Sequence, residues 1–191
     1  HLWIRRQRQM CIRDSIPTIR GIQRDGIDYR GFLFFGLMKV QGDPYMIEYN
    51  CRLGDPETQI ILPLLETDLL HLMDGLSNGL LSEIDVALSP KAAATITLAS
   101  GGYPGSYAKG IPTTLPAAAD IEEDQLLFHA GTKREGESTV TAGGRVLACI
   151  GFDAELENAV KKAYALADKV EYEGCLLYTS TLPTNPEVGV G

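Results

Sequence analysis

Glu48, Asn50 and Arg52 stand at alternate positions in the stretch Ile47-Glu48-Tyr49-Asn50-Cys51-Arg52. In an extended chain successive side chains point to opposite faces, so Glu48 and Asn50 share one face while Ile47 and Tyr49 turn into apolar packing. A carboxylate and an amide carbonyl about 7 Å apart along a strand suit a hard divalent cation that keeps part of its water and takes further oxygens from a phosphate. Arg52 joins that face if the strand continues, and phosphoryl transfer uses such a guanidinium to hold and neutralise the moving group. Taken alone, the pattern fits a surface strand with solvated charges equally well. Gly54-Asp55-Pro56-Glu57 follows at once and is turn chemistry: Gly permits a positive φ, Pro fixes φ, and Asp accepts backbone N–H bonds. The turn is expected to hold two acids, Asp55 and Glu57, rigidly beside Arg52.

The elements that must position this stretch can be read from periodicity. Residues 17–24 read as the last turns of a helix ended by Asp25-Gly26. Residues 32–40 are apolar on both faces, which predicts a central buried strand, and Gly42-Asp43-Pro44 turns it into a hairpin with residues 45–49. Residues 59–65 continue the loop as an apolar run. Leu69, Leu72, Met73 and Leu76 recur at helical spacing over 68–76, with Asp68 placed to cap the start and Gly79 following the end. His71 has no ligand partner nearby and reads as structural. Residues 80–90 form a junction. Beyond it, short β-type segments at 93–99, 125–130, 138–142 and 145–150, separated by Gly-rich turns, predict a small barrel or sandwich. A helix over 154–169 follows, with Asp153 as N-cap and Leu156, Val160, Ala163, Tyr164 and Ala167 on one face. The fold class is α+β.

Two Gly-rich loops invite comparison with phosphate sites. Gly131 to Ser138 has the spacing of a P-loop, but Glu137 stands where the phosphate-binding lysine must be and would repel phosphate, so a hairpin turn is expected. Ser100 to Lys109 exposes glycine N–H groups beside a lysine; it either holds a sugar phosphate or anionic intermediate or is a plain surface loop. Cys51 and Cys149 show no metal-ligand spacing, so zinc is not expected and buried, inert thiols in a reducing cytoplasm are. No apolar run reaches the length of a membrane span.

The two ends read differently. Residues 5–15 match the translation of a transposase-type sequencing adapter, and Cys175 to Ser180 match its reverse complement, so residues 1–15 and 175–191 are expected to be non-native tails without a core to pack on. Without the four Arg and one Asp of the first tail and Glu187 of the second, the formal charge moves from −8 to about −10. Such a field disfavours nucleic acid as a partner, and nothing indicates a membrane.

The run Glu48-Tyr49-Asn50-Cys51-Arg52-Leu53-Gly54-Asp55-Pro56-Glu57-Thr58-Gln59 resembles the signature of phosphoribosylamine-glycine ligase, an ATP-grasp family of purine synthesis. Gly31 to Met38, Ser100 to Tyr107, Phe128 to Thr132 and Gly143 to Leu147 also resemble that family, in its order. The resemblance implies the C-terminal half of an ATP-grasp domain over 16–84, followed by a small β-rich, barrel- or sandwich-like domain with a helix over 85–174. The first half of the grasp and the N-terminal substrate domain are expected to be missing. It implies ATP-dependent joining of glycine to 5-phosphoribosylamine in the cytoplasm, giving glycinamide ribonucleotide, ADP and phosphate. It further implies Mg2+ or Mn2+ on Glu48 and Asn50, Arg52 as the catalytic residue, and Leu37 or Met38 lining the nucleotide or simply packed in the core. Asp55, Pro56, Glu57, Gly101, Gly102 and Tyr103 would be substrate contacts or loop organisers. Gly36 and Leu37 stand where many ATP-grasp relatives carry a second metal-binding carboxylate, so a second metal site is not expected from protein ligands alone. The alternatives are another ATP-grasp ligase, or a carrier-like β module acylated on Lys133.

Overall fold

The computed structural model describes residues 15–41 and 43–182. The chain divides into two compact units, one of residues 1–54 and 67–87, the other of 55–66 and 88–191.

In the first unit, α1 (Ile16–Arg24) starts with a proline in its first turn, where the missing N–H costs nothing, and ends at Gly26 with φ +68°. β1 (Phe34–Val40) and β2 (Asp43–Asn50) pair antiparallel as a hairpin, Phe34 opposite Asn50, with a bulge between Gly36 and Leu37. The sheet has two strands among the described residues, and Met38, Tyr45, Ile47 and Tyr49 are each more than half exposed. A central buried strand is therefore not what the hairpin forms, and Ile47 and Tyr49 do not turn into a packed core. An alternating apolar pattern specifies which way side chains point, and burial needs a second layer. Tyr49 instead meets Phe35 edge to face at 5.5 Å, and its hydroxyl accepts a bond from Thr18 Oγ1 of α1. Cys51, expected buried, is exposed.

Residues 58–64 form a helix, α2 (Thr58–Leu64), that belongs to the second unit. Back in the first, α3 (Leu69–Asn78) carries the expected cap: the Asp68 carboxylate accepts the backbone N–H of His71 at 3.0 Å, and Gly79 ends it at φ +74°. His71 is exposed and serves only through its backbone. Arg30 donates to the Ser77 carbonyl at 2.7 Å, joining the approach to β1 to the end of α3. Thr67 and Ala87 bond backbone to backbone and through the Thr67 hydroxyl, which clamps the junction shut.

The second unit is built on a four-stranded antiparallel sheet in the order β5 (Gln125–His129), β8 (Arg145–Asp153), β3 (Ala92–Ala99), β9 (Leu176–Leu182). A three-stranded sheet of β4 (Pro112–Thr113), β7 (Ser138–Thr141) and β6 (Thr132–Glu135) lies beside it in the chain order. Among the described residues the two are separate hydrogen-bonded sheets, which makes this a β-rich α+β unit. β3 and β8 are buried along nearly their whole length because a helix covers each face. On one face Ala94, Ile96, Leu98, Leu147 and Cys149 pack with Ala159, Ala163, Leu166 and Ala167 of α4 (Leu156–Ala167). On the other, Ile60 and Leu64 of α2 pack with Ala93, Ala148, Ile150 and Phe152. The buried stripe of α4 thus runs through Ala159 and Leu166, and Tyr164, expected on it, is exposed. Small residues on that stripe let the helix backbone come down onto Gly151 of β8, where a Cβ would strike the Ala163 nitrogen at 2.6 Å. The helix starts later than expected, with Glu155 and not Asp153 at its N-cap; Asp153 steadies the approach, accepting from Glu155 N at 3.1 Å and Asn158 Nδ2 at 3.3 Å.

β9 falls in the segment expected to find no partner. It pairs with β3 from Leu176 opposite Ala99 to Leu182 opposite Ala93. An edge place requires only free backbone groups on the neighbour and a chain rich in Leu, Tyr and Thr, which residues 176–182 supply whatever their origin. Residues 1–14 and 183–191 lie outside the described residues.

Candidate functional site

The sequence-predicted residues fall into two groups, one in each unit. In the first, Glu48 and Asn50 emerge from the same face of β2, and Asn50 Nδ2 donates to Glu48 Oε1 at 3.0 Å. The two potential ligands are thus in contact, both open to solvent in part. Gly36 lies directly opposite Glu48 in the β1–β2 register. A Cβ there would stand 2.8 Å from Glu48 Cγ, so the glycine's role is to leave room for the carboxylate. Among the described residues no group of three or more His, Cys, Asp or Glu side chains is placed to hold a metal. A carboxylate and an amide oxygen side by side nevertheless fit a hard cation that draws its remaining ligands from water and phosphate. Holding one requires the Asn50 amide to turn so that its oxygen faces the carboxylate side.

β2 ends at Asn50, and Arg52 sits in the bend that follows, donating to the Leu53 carbonyl at 3.3 Å. The strand does not continue to carry it on the Glu48 face, because the turn begins at once. Leu37 is half-buried opposite Met46 and Met38 is 55% exposed opposite Tyr45, so Met38 is no core residue.

In the second unit the acidic turn is the entry to α2, anchored by the buried Ile60 and Leu64. Asp55 Oδ1 accepts from Gln59 Nε2 at 2.9 Å, one helical turn on. Its other oxygen pairs with Arg145 Nη1 at 3.1 Å, and the same nitrogen donates to the Asp55 carbonyl at 2.6 Å. Within this unit the cation paired with the turn is Arg145, a partner that sequence reading did not name. Burial lowers the affinity of Arg145 for its proton, but the bond to Asp55 and the nearby Tyr103 outweigh it and hold the guanidinium more firmly charged than usual. The guanidinium lies over the Tyr103 ring at 6.0 Å, and Tyr103 meets Tyr107 edge to face at 6.1 Å. Lys109 in turn stands 5.8 Å above the Tyr107 ring. The Ser100 to Lys109 loop thus touches the residues of the acidic turn through Arg145. Three glycines allow this: Gly144 lies flat under Tyr103, Gly101 rests on Gly174, and Gly102, at φ +95°, brings its backbone against Ser106. Ser100 is buried and bonds both ways across the loop base, from N to Gly144 O at 2.8 Å and from Oγ to Gly143 O at 2.9 Å. Arg145 was visible only as part of the Gly143 to Leu147 block. Its partner lies 90 residues away, so no spacing could reveal the pair.

Other groups fall outside the site. Gly131 to Ser138 is a hairpin, β6 to β7, turning at Gly136 with φ +61°, as its Glu137 implies. Lys133 lies on β6 opposite Val140 and is paired with Glu135, away from the turn. Cys149 is fully buried and its thiol is pushed up to about 12, chiefly by that burial and further by Cys175, which leaves it inert.

Two family descriptions match the chain: the ATP-grasp (A) domain of phosphoribosylglycinamide synthetase over residues 4–58 and the C domain of the same enzyme over residues 93–178. The phosphoribosylamine–glycine ligase of Chlorobaculum tepidum is 42% identical over 158 residues, 83% of this chain and 37% of that protein. That of Pseudomonas syringae is 44% identical over 165 residues, 85% of this chain and 38% of the relative. The crystal structure of the Thermotoga maritima phosphoribosylamine–glycine ligase superposes with a TM-score of 0.72 at 40% identity, covering 84% of this chain and 39% of that one. The chain spans a little over a third of the length of these relatives. With both domain matches in order and the E-x-N-x-R, G-D-P-E and S-G-G-Y blocks in place, the chain belongs to the phosphoribosylamine-glycine ligase family, matching part of its ATP-grasp domain and its C domain.

Proposed function

We propose that this chain is part of a cytoplasmic ligase that joins glycine to 5-phosphoribosylamine at the expense of ATP, releasing ADP and phosphate. One observation supports it most: Glu48 and Asn50 meet at 3.0 Å on the strand that leads directly into the G-D-P-E turn, with Gly36 clearing space for the carboxylate. The two side chains would hold Mg2+ or Mn2+, which when bound neutralises charge on the nucleotide phosphates. The glycine carboxylate attacks the γ-phosphate and forms glycyl phosphate. The ribosylamine nitrogen then displaces phosphate and makes the amide. Arg52, one bend from the metal ligands and exposed, supplies a guanidinium for the phosphoryl group in transfer. Leu37 and Met38 lie on β1, next to Gly36, and would form an apolar floor for the nucleotide. In the other unit, Asp55 and Glu57 orient the amine side, and Gly101, Gly102 and Tyr103 shape the loop that receives the sugar phosphate. No residue need act as a covalent nucleophile, since the chemistry is one of positioning and charge.

The test is product analysis in a complete enzyme containing this segment, supplied with ATP, glycine and 5-phosphoribosylamine. Glycinamide ribonucleotide formed in step with ADP is the expected result, with Glu48→Gln raising the magnesium requirement. A different amide product, or magnesium dependence unchanged in Glu48→Gln, would overturn the substrate assignment or the metal assignment respectively. The 191-residue chain alone is expected to show no turnover.

A further inference from the structure

We infer that Arg145 is a positioning residue that locks the acidic turn at Asp55 to the Ser100–Lys109 loop, so that both loops reach the substrate as one preorganised surface. The inference rests on the ligase reading for what the surface binds, but not for the lock itself. Arg145 Nη1 grips both the side chain and the backbone carbonyl of Asp55, at 3.1 and 2.6 Å. A carboxylate alone can swivel about its bonds; fixing the carbonyl of the same residue removes that freedom and sets the direction of the peptide into Pro56. Gln59 holds the second carboxylate oxygen from one turn on, at 2.9 Å, so Asp55 is fixed from three directions. The guanidinium also lies over the Tyr103 ring, 6.0 Å from its centre, and Gly144, next to Arg145 in sequence, is the residue that lets the ring lie close. The base of Arg145 is itself fixed, because its carbonyl accepts the Gly131 N–H at 2.8 Å and β8 beyond it is buried. The arrangement runs from a rigid strand, through one side chain, to two loops that each carry a family-like block.

Lysine cannot reproduce it. An ammonium is a point charge that can pair with the carboxylate, but it lacks the planar group that also lies against a ring. Arg145→Lys should therefore leave the charge and lose the alignment, whereas Arg145→Ala loses both.

The experiment has two arms. In the 191-residue chain, hydrogen exchange at the amides of Gln59, Ile60 and Ile61, which bond back to Pro56 and Glu57, reads the order of the turn without reference to any activity. In a complete enzyme containing the segment, steady-state kinetics compare Arg145→Lys, Arg145→Ala, Asp55→Asn and the Arg145→Ala/Asp55→Asn pair, with melting temperatures alongside. The lock predicts faster exchange at those three amides in both Arg145 variants. It also predicts a fall of about tenfold or more in kcat for Arg145→Ala at unchanged ATP KM, partial recovery in Arg145→Lys, and a double variant no worse than the poorer single one. Unchanged exchange, or full kcat with only a lower melting temperature, or losses that simply multiply in the double variant would overturn it. A wild-type enzyme that makes a different product would defeat the ligase reading while the exchange and non-additivity results still decide the lock.

Discussion

Gly36→Ala puts the proposed metal site to its sharpest test, because the substitution adds one methyl group and touches one of the side chains proposed as ligands. The new Cβ would stand 2.8 Å from Glu48 Cγ, with the Glu48 carbonyl at 3.5 Å and Oε1 at 3.6 Å. The backbone oxygen is at ordinary contact distance, so the strand pair need not move. The Cγ is too close by roughly half an ångström, and the Glu48 side chain must rotate. A rotation of about 30° off its staggered well costs about 0.5–1.5 kcal/mol, and a full change of rotamer relieves the strain but carries the carboxylate away from Asn50. Against this, replacing glycine by alanine in a strand gains about 0.5–1 kcal/mol through lost unfolded-state freedom. The two nearly cancel, so the melting temperature should stay within a few degrees of wild type. The proposed metal site should not escape so lightly: displacing a ligand through its supporting neighbour typically weakens metal binding by about 10–100-fold. The assay is a magnesium titration of kcat in a complete enzyme carrying the segment, with the melting temperature of the 191-residue chain measured in parallel. An unchanged magnesium requirement would refute the idea that Gly36 exists to seat Glu48. A large loss of stability would refute the argument that only the side chain moves.

Arg52→Lys, in the same enzyme, should lower kcat by about 10²–10³ with ATP and glycine KM nearly fixed and magnesium dependence unaltered, as for loss of a donor used in the transition state; wild-type kcat would end its assignment. Gly151→Ala should destabilise the 191-residue chain by about 1–3 kcal/mol, read by urea unfolding, because the new methyl group meets the α4 backbone, which cannot swing aside. The Lys162 ammonium lies 2.8 Å from Asp153 and 3.1 Å from Asp124, and Lys91 is 2.7 Å from Asp124. Asp153 is held down to about 2, first by the Lys162 bond and then by the Glu155 N–H, and Asp124 is lowered by Lys91 and Lys162. Groups with depressed values stabilise the fold above their ordinary range and lose that contribution as they protonate. The melting temperature should therefore fall as pH drops from about 4 to about 2, and Lys162→Met should flatten that fall; an equally steep fall in the variant would assign the acid sensitivity elsewhere.

What could be read from the sequence was whatever a short window specifies. The Asp68 cap, the stop at Gly79, the hairpin after residue 40 and the rejection of a phosphate loop at Gly131 depend on neighbours a few residues apart, and the structure bears them out. Asp153 could be seen to belong to the start of α4 for the same reason, although the N-cap is Glu155, and the buried stripe was legible only in part. Ala163 and Ala167 are buried as their spacing implied, but Ala159 is too small to announce itself beside Leu156 and Tyr164, and only the close approach at Gly151 makes small residues the right ones to bury. α2 was hidden for a different reason. Its seven residues include Pro63, and its apolar side chains read equally as a strand or a loop until β3 and β8 are there to receive Ile60 and Leu64.

The same reasoning explains why the G-D-P-E stretch could be recognised in kind while its Arg145 partner could not. A turn rich in Gly, Asp and Pro is a local instruction, and it does form a turn. Which cation faces Asp55 is a tertiary matter, decided by α2 docking on the sheet whose strand β8 begins with Arg145. Arg52, three residues from Asp55, is the nearer charge in sequence, but its own backbone leaves the strand at Asn50 and its guanidinium turns to the Leu53 carbonyl. Satisfying Asp55 from Arg145 frees Arg52 from a structural duty. A guanidinium that served as the loop's counter-ion could not also follow a phosphoryl group through transfer without loosening the loop at the moment of reaction. If Arg52 carries the proposed transfer role, two arginines on different elements remove that conflict, and Arg52→Lys and Arg145→Lys should differ in kind: the first in turnover alone, the second in turnover together with exchange at Gln59 to Ile61.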